Sequence, residues 1–341
     1  MQTGSAGAVY VQTNDAVRNE VVAYRRGHDG ALTQAGRFPT GGTGTGKAHL
    51  PSQGSLVLAR AGELLLVANS GSDDVSVFRV GDSLVAADRV ASGGERPTSI
   101  AVHEEHVYVL NAGGQANLAG FRLAADGKLG PIAGAAPLPD GSDPAQVAFS
   151  PDGTALIVTD RATNSIVTFP VDAEGRLGEL SVQPSNGATP YGFDFAGDVM
   201  IVTEAFGGEV GAAAASSYRI ADGSLATVTG SLPNTRSEVC WASATKDGRY
   251  VYVTNFGDGT ISSYRIDADG SLELLEPVAA STVLGSPGVR DEALTGDDRF
   301  LYALDADARQ VFGWAVGDDG SLTPVGSADG LPATAAGLAA R

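Results

Sequence analysis

The sequence predicts an all-β fold, a seven-bladed β-propeller with four antiparallel strands per blade. Three observations lead there. A short apolar run ending in a small polar or acidic residue recurs seven times, at intervals near 50 residues. Hairpin turns of the Asp-Gly type follow six of these runs. No stretch carries the 3.6-residue apolar period and the caps of a long helix.

The runs occupy 9–14, 65–69, 107–111, 156–160, 200–204, 251–255 and 301–305, and end in Asn14, Asn69, Asn111, Asp160, Glu204, Asn255 and Asp305. The sixth repeat shows the grammar. Residues 249–255 alternate and stop at Phe256-Gly257-Asp258-Gly259. Residues 260–266 alternate again and meet the hairpin signal Asp269-Gly270, after which 271–275 form a shorter strand. Residues 289–294 then lead through Thr295-Gly296-Asp297-Asp298 into the next repeat. The other hairpin signals are Asp29-Gly30, Asp126-Gly127, Glu174-Gly175, Asp222-Gly223 and Asp319-Gly320. The first run begins near Ala8 as the second strand of a blade, and 331–338 resemble a first strand. The C-terminal strand should complete the N-terminal blade and leave no open edge, so that 1–341 form one propeller domain.

Composition limits the function. A hydrophobic content of 43% suffices for a core, and no run of 18 apolar residues suggests a membrane helix. The net charge of −18 argues against nucleic acid and anionic membranes as partners. Cys240 is the only cysteine, so no intrachain disulfide forms. Met1-Gln2-Thr3-Gly4 opens no basic-then-apolar segment, which predicts no signal peptide. The expectation is a cytoplasmic monomer, or a periplasmic or secreted one if a precursor was trimmed.

In a propeller the first strand of each blade lines the central channel. These strands start at Pro51, Pro97, Pro144, Pro190, Val239, Val289 and Pro332. Antiparallel pairing puts the polar ends of the seven runs on the same face, around the channel mouth. Asn and Asp there suit turn closure. Glu204 is longer, precedes the unusual loop Ala205-Phe206-Gly207-Gly208, and is expected to act in function. Lys47, His49, Arg96, Arg161, Arg236 and Arg290 fall on that face, which favours a small anionic ligand. The competing expectation pairs Arg290 with Asp291 or Glu292, and Arg236 with Glu238. Tyr191, Phe193, Phe206 and Trp241 suggest an apolar wall, with Cys240 as a small buried hydrophobe.

Other motifs fit structure better than chemistry. Residues 41–47 match the GxxxxGK part of a phosphate-binding loop, but Ala48 stands where Ser or Thr should hold magnesium. A flexible lid over the channel mouth is expected there instead. His103-Glu104-Glu105-His106 sits where other repeats have turns, on the opposite face. No cofactor is expected, although rim Asn, Asp and Glu offer oxygen ligands for calcium or magnesium.

The segments Asp143-Pro144-Ala145-Gln146-Val147-Ala148-Phe149-Ser150-Pro151-Asp152-Gly153, Tyr250-Val251-Tyr252-Val253-Thr254-Asn255 and Asp269-Gly270-Ser271-Leu272 resemble the seven-bladed propeller lactonase family. That family includes bacterial propeller-type 6-phosphogluconolactonase and fungal 3-carboxymuconate cyclase. The resemblance implies a propeller along essentially the whole chain. Phosphogluconolactonases of this type tend to carry His after the Pro that opens a channel strand. Ser52, Thr98, Ala145, Tyr191 and Ala333 stand there instead, which argues against a sugar phosphate.

The reading that follows is lactone opening, or its reverse, on a small carboxylated lactone or unsaturated acid. Glu204 or His49 would be base or acid, and Arg290 with Arg161 would hold carboxylate and oxyanion, with Asp291 in the catalytic group. Gln53, Gln146 and Asn111 would orient substrate, with Arg96, Arg236, Tyr191, Phe206 and Trp241 as further binding residues. A non-catalytic metabolite- or protein-binding propeller is the alternative reading, and a carbon–carbon or carbon–oxygen lyase a third.

Overall fold

The computed structural model describes residues 6–48, 50–221 and 223–341. It contains seven antiparallel sheets around a central channel, six with their strands in chain order from the inside out and blade 1 with the C-terminal strand innermost. Blade 1 pairs Ala336–Ala340 with Gly7–Gln12, Glu20–Arg26 and Leu32–Pro39. Blade 2 contains Leu56–Ala59, Leu64–Asn69, Asp74–Val80 and Leu84–Ala91. Blade 3 has Glu95–His103, His106–Gly113, Asn117–Leu123 and Leu129–Pro131, with Ala136–Pro137 as an extra piece. Blade 4 follows with Pro144–Phe149, Ala155–Asp160, Ser165–Pro170 and Ser181–Pro184. Blade 5 has Pro190–Ala196, Val199–Glu204, Ala214–Ala221 and Ser224–Pro233. Val239–Ala244, Tyr250–Asn255, Thr260–Ile266 and Leu272–Ser281 make blade 6. Val289–Leu294, Phe300–Asp305, Gln310–Val316 and Leu322–Ala328 make blade 7.

The core lies between blades. Seven apolar clusters join neighbouring sheets, for example Ile157 and Ile166 of blade 4 with Phe193, Met200, Val202 and Tyr218 of blade 5. This explains why second strands read as continuous apolar runs: both of their faces are covered. Hydrogen bonds add direction to the packing. Tyr108, Tyr252 and Tyr302 each donate from a second strand to the hairpin glycine carbonyl of the following blade, on Gly175, Gly320 and Gly30. These glycines have positive φ, and a Cβ on Gly30 would meet the Phe300 ring at 2.4 Å.

Closure takes place as the sequence implies, but with a later strand. Segment 331–338 was expected to be the closing strand; Ala336–Ala340 is the strand that pairs with Gly7–Gln12. The chain first turns at 332–335, where the Ala335 amide donates to the Pro332 carbonyl, and so cannot pair there. The hairpin signal at Asp222 lies outside the described residues. Among the described residues no helix is long and apolar enough to cross a membrane.

Candidate active site at the upper channel mouth

The upper face is the end where first strands begin and second strands stop. Six first strands carry a β-bulge at that end, between Pro97 and Ser99, Pro144 and Gln146, Pro190 and Phe193, Val239 and Ala242, Val289 and Glu292, and Ala336 and Leu338. The bulged residues include Tyr191, Cys240, Trp241, Arg290 and Asp291. A bulge re-aims side chains that regular pleating would send into the neighbouring sheet. For three of these bulges the penultimate threonine of the preceding run fixes the bulged backbone. Thr159 donates to the Tyr191 carbonyl at 2.6 Å, Thr203 to Cys240 at 2.7 Å, and Thr254 to Arg290 at 3.3 Å.

These bulges build a basic and aromatic mouth on blades 4 to 7. The Arg161 guanidinium lies over the Tyr191 ring at 5.0 Å, donates to its hydroxyl at 3.2 Å, and pairs with Asp143 at 2.7 Å. Tyr191 packs on Trp241 with ring centroids 4.9 Å apart. Arg290 lies over Phe256 at 5.1 Å and reaches Asp307 with Nη2 at 3.2 Å. Its Nε and Nη1, like Nε1 of Trp241, are buried donors with no acceptor among the described residues. Burial pushes the Tyr191 phenol well above its ordinary range, so it is a neutral proton donor. Burial, with Glu238 beside it, pushes the Cys240 thiol up to about 12, against the pull of Arg290 and Arg161. The thiol is therefore no nucleophile near neutral pH. Buried arginine and indole donors without acceptors suit a planar carboxylate or a developing oxyanion.

Glu204 is elsewhere, and the rim reading of the seven run ends is corrected. Asn69 donates to Ser76 at 2.8 Å and Asn255 to Ser262 at 2.9 Å, each on the third strand of its own blade. Glu204 does the same work with reversed polarity, accepting from Ser216 at 2.5 Å and from the Gly187 amide at 2.8 Å. It is fully buried, between strands rather than at the channel. Only the connection is longer, through the turn Phe206–Gly208; Glu204 faces Ala214 as Asn69 faces Asp74 and Asn255 faces Thr260. Asn111 is another clamp, donating to the Ser92 carbonyl at 3.1 Å and to Asn117 at 3.2 Å.

Gln53, Gln146 and Asp291 also leave the upper mouth. Gln146 is clamped to both backbone groups of Phe193, at 2.9 and 2.7 Å. Gln53 crosses the channel to both backbone groups of Ala242, at 2.8 and 3.2 Å. Gly192 permits this crossing, since a Cβ there would meet Gln53 Oε1 at 2.6 Å. Asp291 accepts from the Leu338 amide at 3.0 Å, joining blade 7 to the closing strand. All three line a cavity of about 620 Å³ that opens at the lower face, among the turns after the first strands. A second cleft of about 630 Å³ between blades 1 and 2 holds no such convergence of functional groups.

The remaining candidates scatter. Arg96 is exposed and donates to the Ala112 carbonyl, while its amide is held by Asp73 at 2.6 Å. Arg236 pairs with Asp258 at 3.6 Å, not with Glu238, and Arg290 takes Asp307 rather than Asp291 or Glu292. Phe206 is part-buried in a turn with φ of 48°. His49 lies outside the described residues. The expected lid at 41–47 is pinned: the Gly44 and Gly46 amides donate to Asp15 and Asn14, and the Asn14 side chain holds Thr45 and Lys47. His103 and His106 pair across a turn at the lower face. Among the described residues, no three His, Cys, Asp or Glu converge to hold a metal ion.

Glu238, which the sequence singles out only as a partner for Arg236, lies beside the mouth residue Cys240. It is part-buried two residues before Cys240, has φ of 53°, and forms no ion pair among the described residues. Pairing it with Arg236 hid it. Phe256 was assigned only to a turn, although it lies under Arg290.

Fold and mouth together define a closed seven-bladed propeller with arginine and aromatic side chains at one end of its channel. The chain belongs to the seven-bladed β-propeller lactonase family, whose model matches residues 8–141, 122–210 and 205–337. Similar solved structures share the fold at low identity. A candidate 6-phosphogluconolactonase from Bacteroides fragilis is 17% identical, with a TM-score of 0.77 and coverage of 100% of this chain and 99% of that one. The periplasmic gluconolactonase of Pseudomonas aeruginosa is 18% identical, with a TM-score of 0.77 and 98% of each chain covered. A Lactobacillus plantarum protein is 19% identical, with a TM-score of 0.78, covering 98% and 99%. A comparison with curated proteins finds no match.

Proposed function

We propose that this propeller opens, or forms, a small carboxylated lactone at its upper channel mouth. The observation that carries this reading is the set of buried donors without acceptors, Nε and Nη1 of Arg290 and Nε1 of Trp241, near the Arg161–Tyr191 pair. Arg161 and Arg290 bind carboxylate and polarise the ring carbonyl. Tyr191 or Trp241 donates to the oxyanion. Glu238 takes the base role in place of the clamped Glu204, with His49 as the other base on chemical grounds. Hydrolysis adds water oxygen to the carbonyl carbon, passes the water proton to the base, breaks the ring C–O bond, and returns a proton to the leaving alkoxide. Cycloisomerisation uses the same groups, with the acid protonating carbon.

The test is a turnover screen of lactones and carboxylated dienes beside thermal-shift measurements on the same compounds. A turned-over substrate should lose about 100-fold or more in kcat/KM with Arg290→Ala, equivalent to roughly 2.7 kcal/mol, and should lose kcat with Glu238→Gln. Stabilisation without turnover would favour the binding reading. A substrate indifferent to Arg290→Ala would sink the assignment.

A further inference from the structure

The lower channel holds two buried acids, Asp291 and Glu292, and one part-buried acid, Asp194, that the proposed chemistry does not use. Asp194 of blade 5 accepts from the Ala244 amide at 2.8 Å, and Asp291 of blade 7 from Leu338 at 3.0 Å. Glu292 is 2% exposed and lines the same cavity, yet neither of its carboxylate oxygens has a partner among the described residues. None of the three forms an ion pair there. The other charged or titratable groups lining the cavity are Lys246, Asp298 and His103. Lys246 donates its ammonium to the Gly296 carbonyl and its backbone amide to Asp298 at 2.7 Å, so it is anchored in the mouth turns.

A buried carboxylate needs a proton or a cation. The three acids do not converge tightly enough to ligate one metal ion. They are distributed along a cavity of about 620 Å³ whose other walls include Leu56, Val147, Phe149 and Leu338. Acids from two blades, Asp194 on blade 5 and Asp291 with Glu292 on blade 7, in one cavity with apolar wall residues, match an organic cation whose charges are separated by methylenes. We propose that the lower channel is a second binding site, distinct from the upper mouth, for an aliphatic diamine, with one ammonium on Glu292.

The probe is 1,4-diaminobutane on the full chain, read by thermal shift and titration calorimetry at pH 6 and pH 8. The diamine should raise Tm with the logarithm of its concentration. Binding should be tighter at pH 8 and should release protons, seen as heats that differ between phosphate and Tris buffers. Glu292→Gln should weaken it about tenfold or more, and Asp194→Asn should do likewise if the first variant folds poorly. Arg290→Ala, at the other face, should leave it unchanged. Stabilisation by calcium or magnesium but not the diamine overturns the proposal. So does diamine binding that survives both carboxyl substitutions, or no shift with any cation, which would leave the acids simply protonated.

Discussion

At the residue scale, Glu204 shows how a repeat can mislead. It is the only Glu among the seven run ends, and that difference suggested chemistry. Its partners show instead the same clamp at the same register: Ser216 stands two residues past its pairing partner Ala214, as Ser76 and Ser262 stand two past Asp74 and Thr260. Glu204→Ala should therefore cost about 2–3 kcal/mol, since it leaves the Gly187 amide and Ser216 hydroxyl buried without an acceptor. Chemical denaturation measures this. Glu204→Gln keeps an acceptor oxygen and should leave kcat within about threefold of the parent, far less than a lost general base costs. Arg290 is the contrasting residue. Its guanidinium is buried over Phe256 with two unpaired edges, so Arg290→Lys keeps the charge but loses the fork, and should still raise KM for a carboxylated ligand.

At the element scale, the bulged first strands connect fold to site. Thr254 accepts from the Trp241 amide at 3.1 Å and donates to the Arg290 carbonyl at 3.3 Å, so one hydroxyl holds two mouth residues from neighbouring blades. Thr254→Val removes both bonds at similar volume. Stability should fall by about 1–2 kcal/mol, while ligand affinity falls further because Trp241 and Arg290 lose their relative position. Parallel melting and binding curves separate the two effects. The blade count, strand order and ring closure were legible in the sequence because they follow from apolar alternation and Asp-Gly turns. The site was half legible. Arg161, Tyr191, Trp241 and Arg290 departed from a pattern and so could be noticed. The bulges, the clamp role of Glu204 and the cross-channel reach of Gln53 depend on register and on close approach at Gly192. Neither leaves a mark in local composition. Glu238 was hidden by a plausible neighbour, Arg236, whose charge is taken by Asp258.

At the scale of the whole molecule, the ring gathers acids without ion pairs in the channel of a chain already at −18. Desolvation raises Asp194 to about 6 and Asp291 to about 7, and lifts Glu292 well above its ordinary range with further repulsion from Asp291 and Asp194. The folded state therefore keeps protons that the unfolded chain has released. Stability from these groups is fully present below about pH 4 and is lost as pH rises through about 6 and 7. For Asp291 the interval from 3.8 to about 7, at about 1.4 kcal/mol per pH unit, sets an upper limit near about 4 kcal/mol. Exposed carboxylates such as Asp152 and Asp269 are held low by their turn hydroxyls and amides, and so act in the opposite direction only in stronger acid. Tm should therefore fall between pH 5 and pH 8. General repulsion among surface acids predicts the same trend, but added salt screens it, whereas buried groups respond little. The expected result is a decline that persists in 0.5 M salt and is reduced in Glu292→Gln and Asp291→Asn. A slope that vanishes in salt, or survives both substitutions, would move the cause from the channel to the surface.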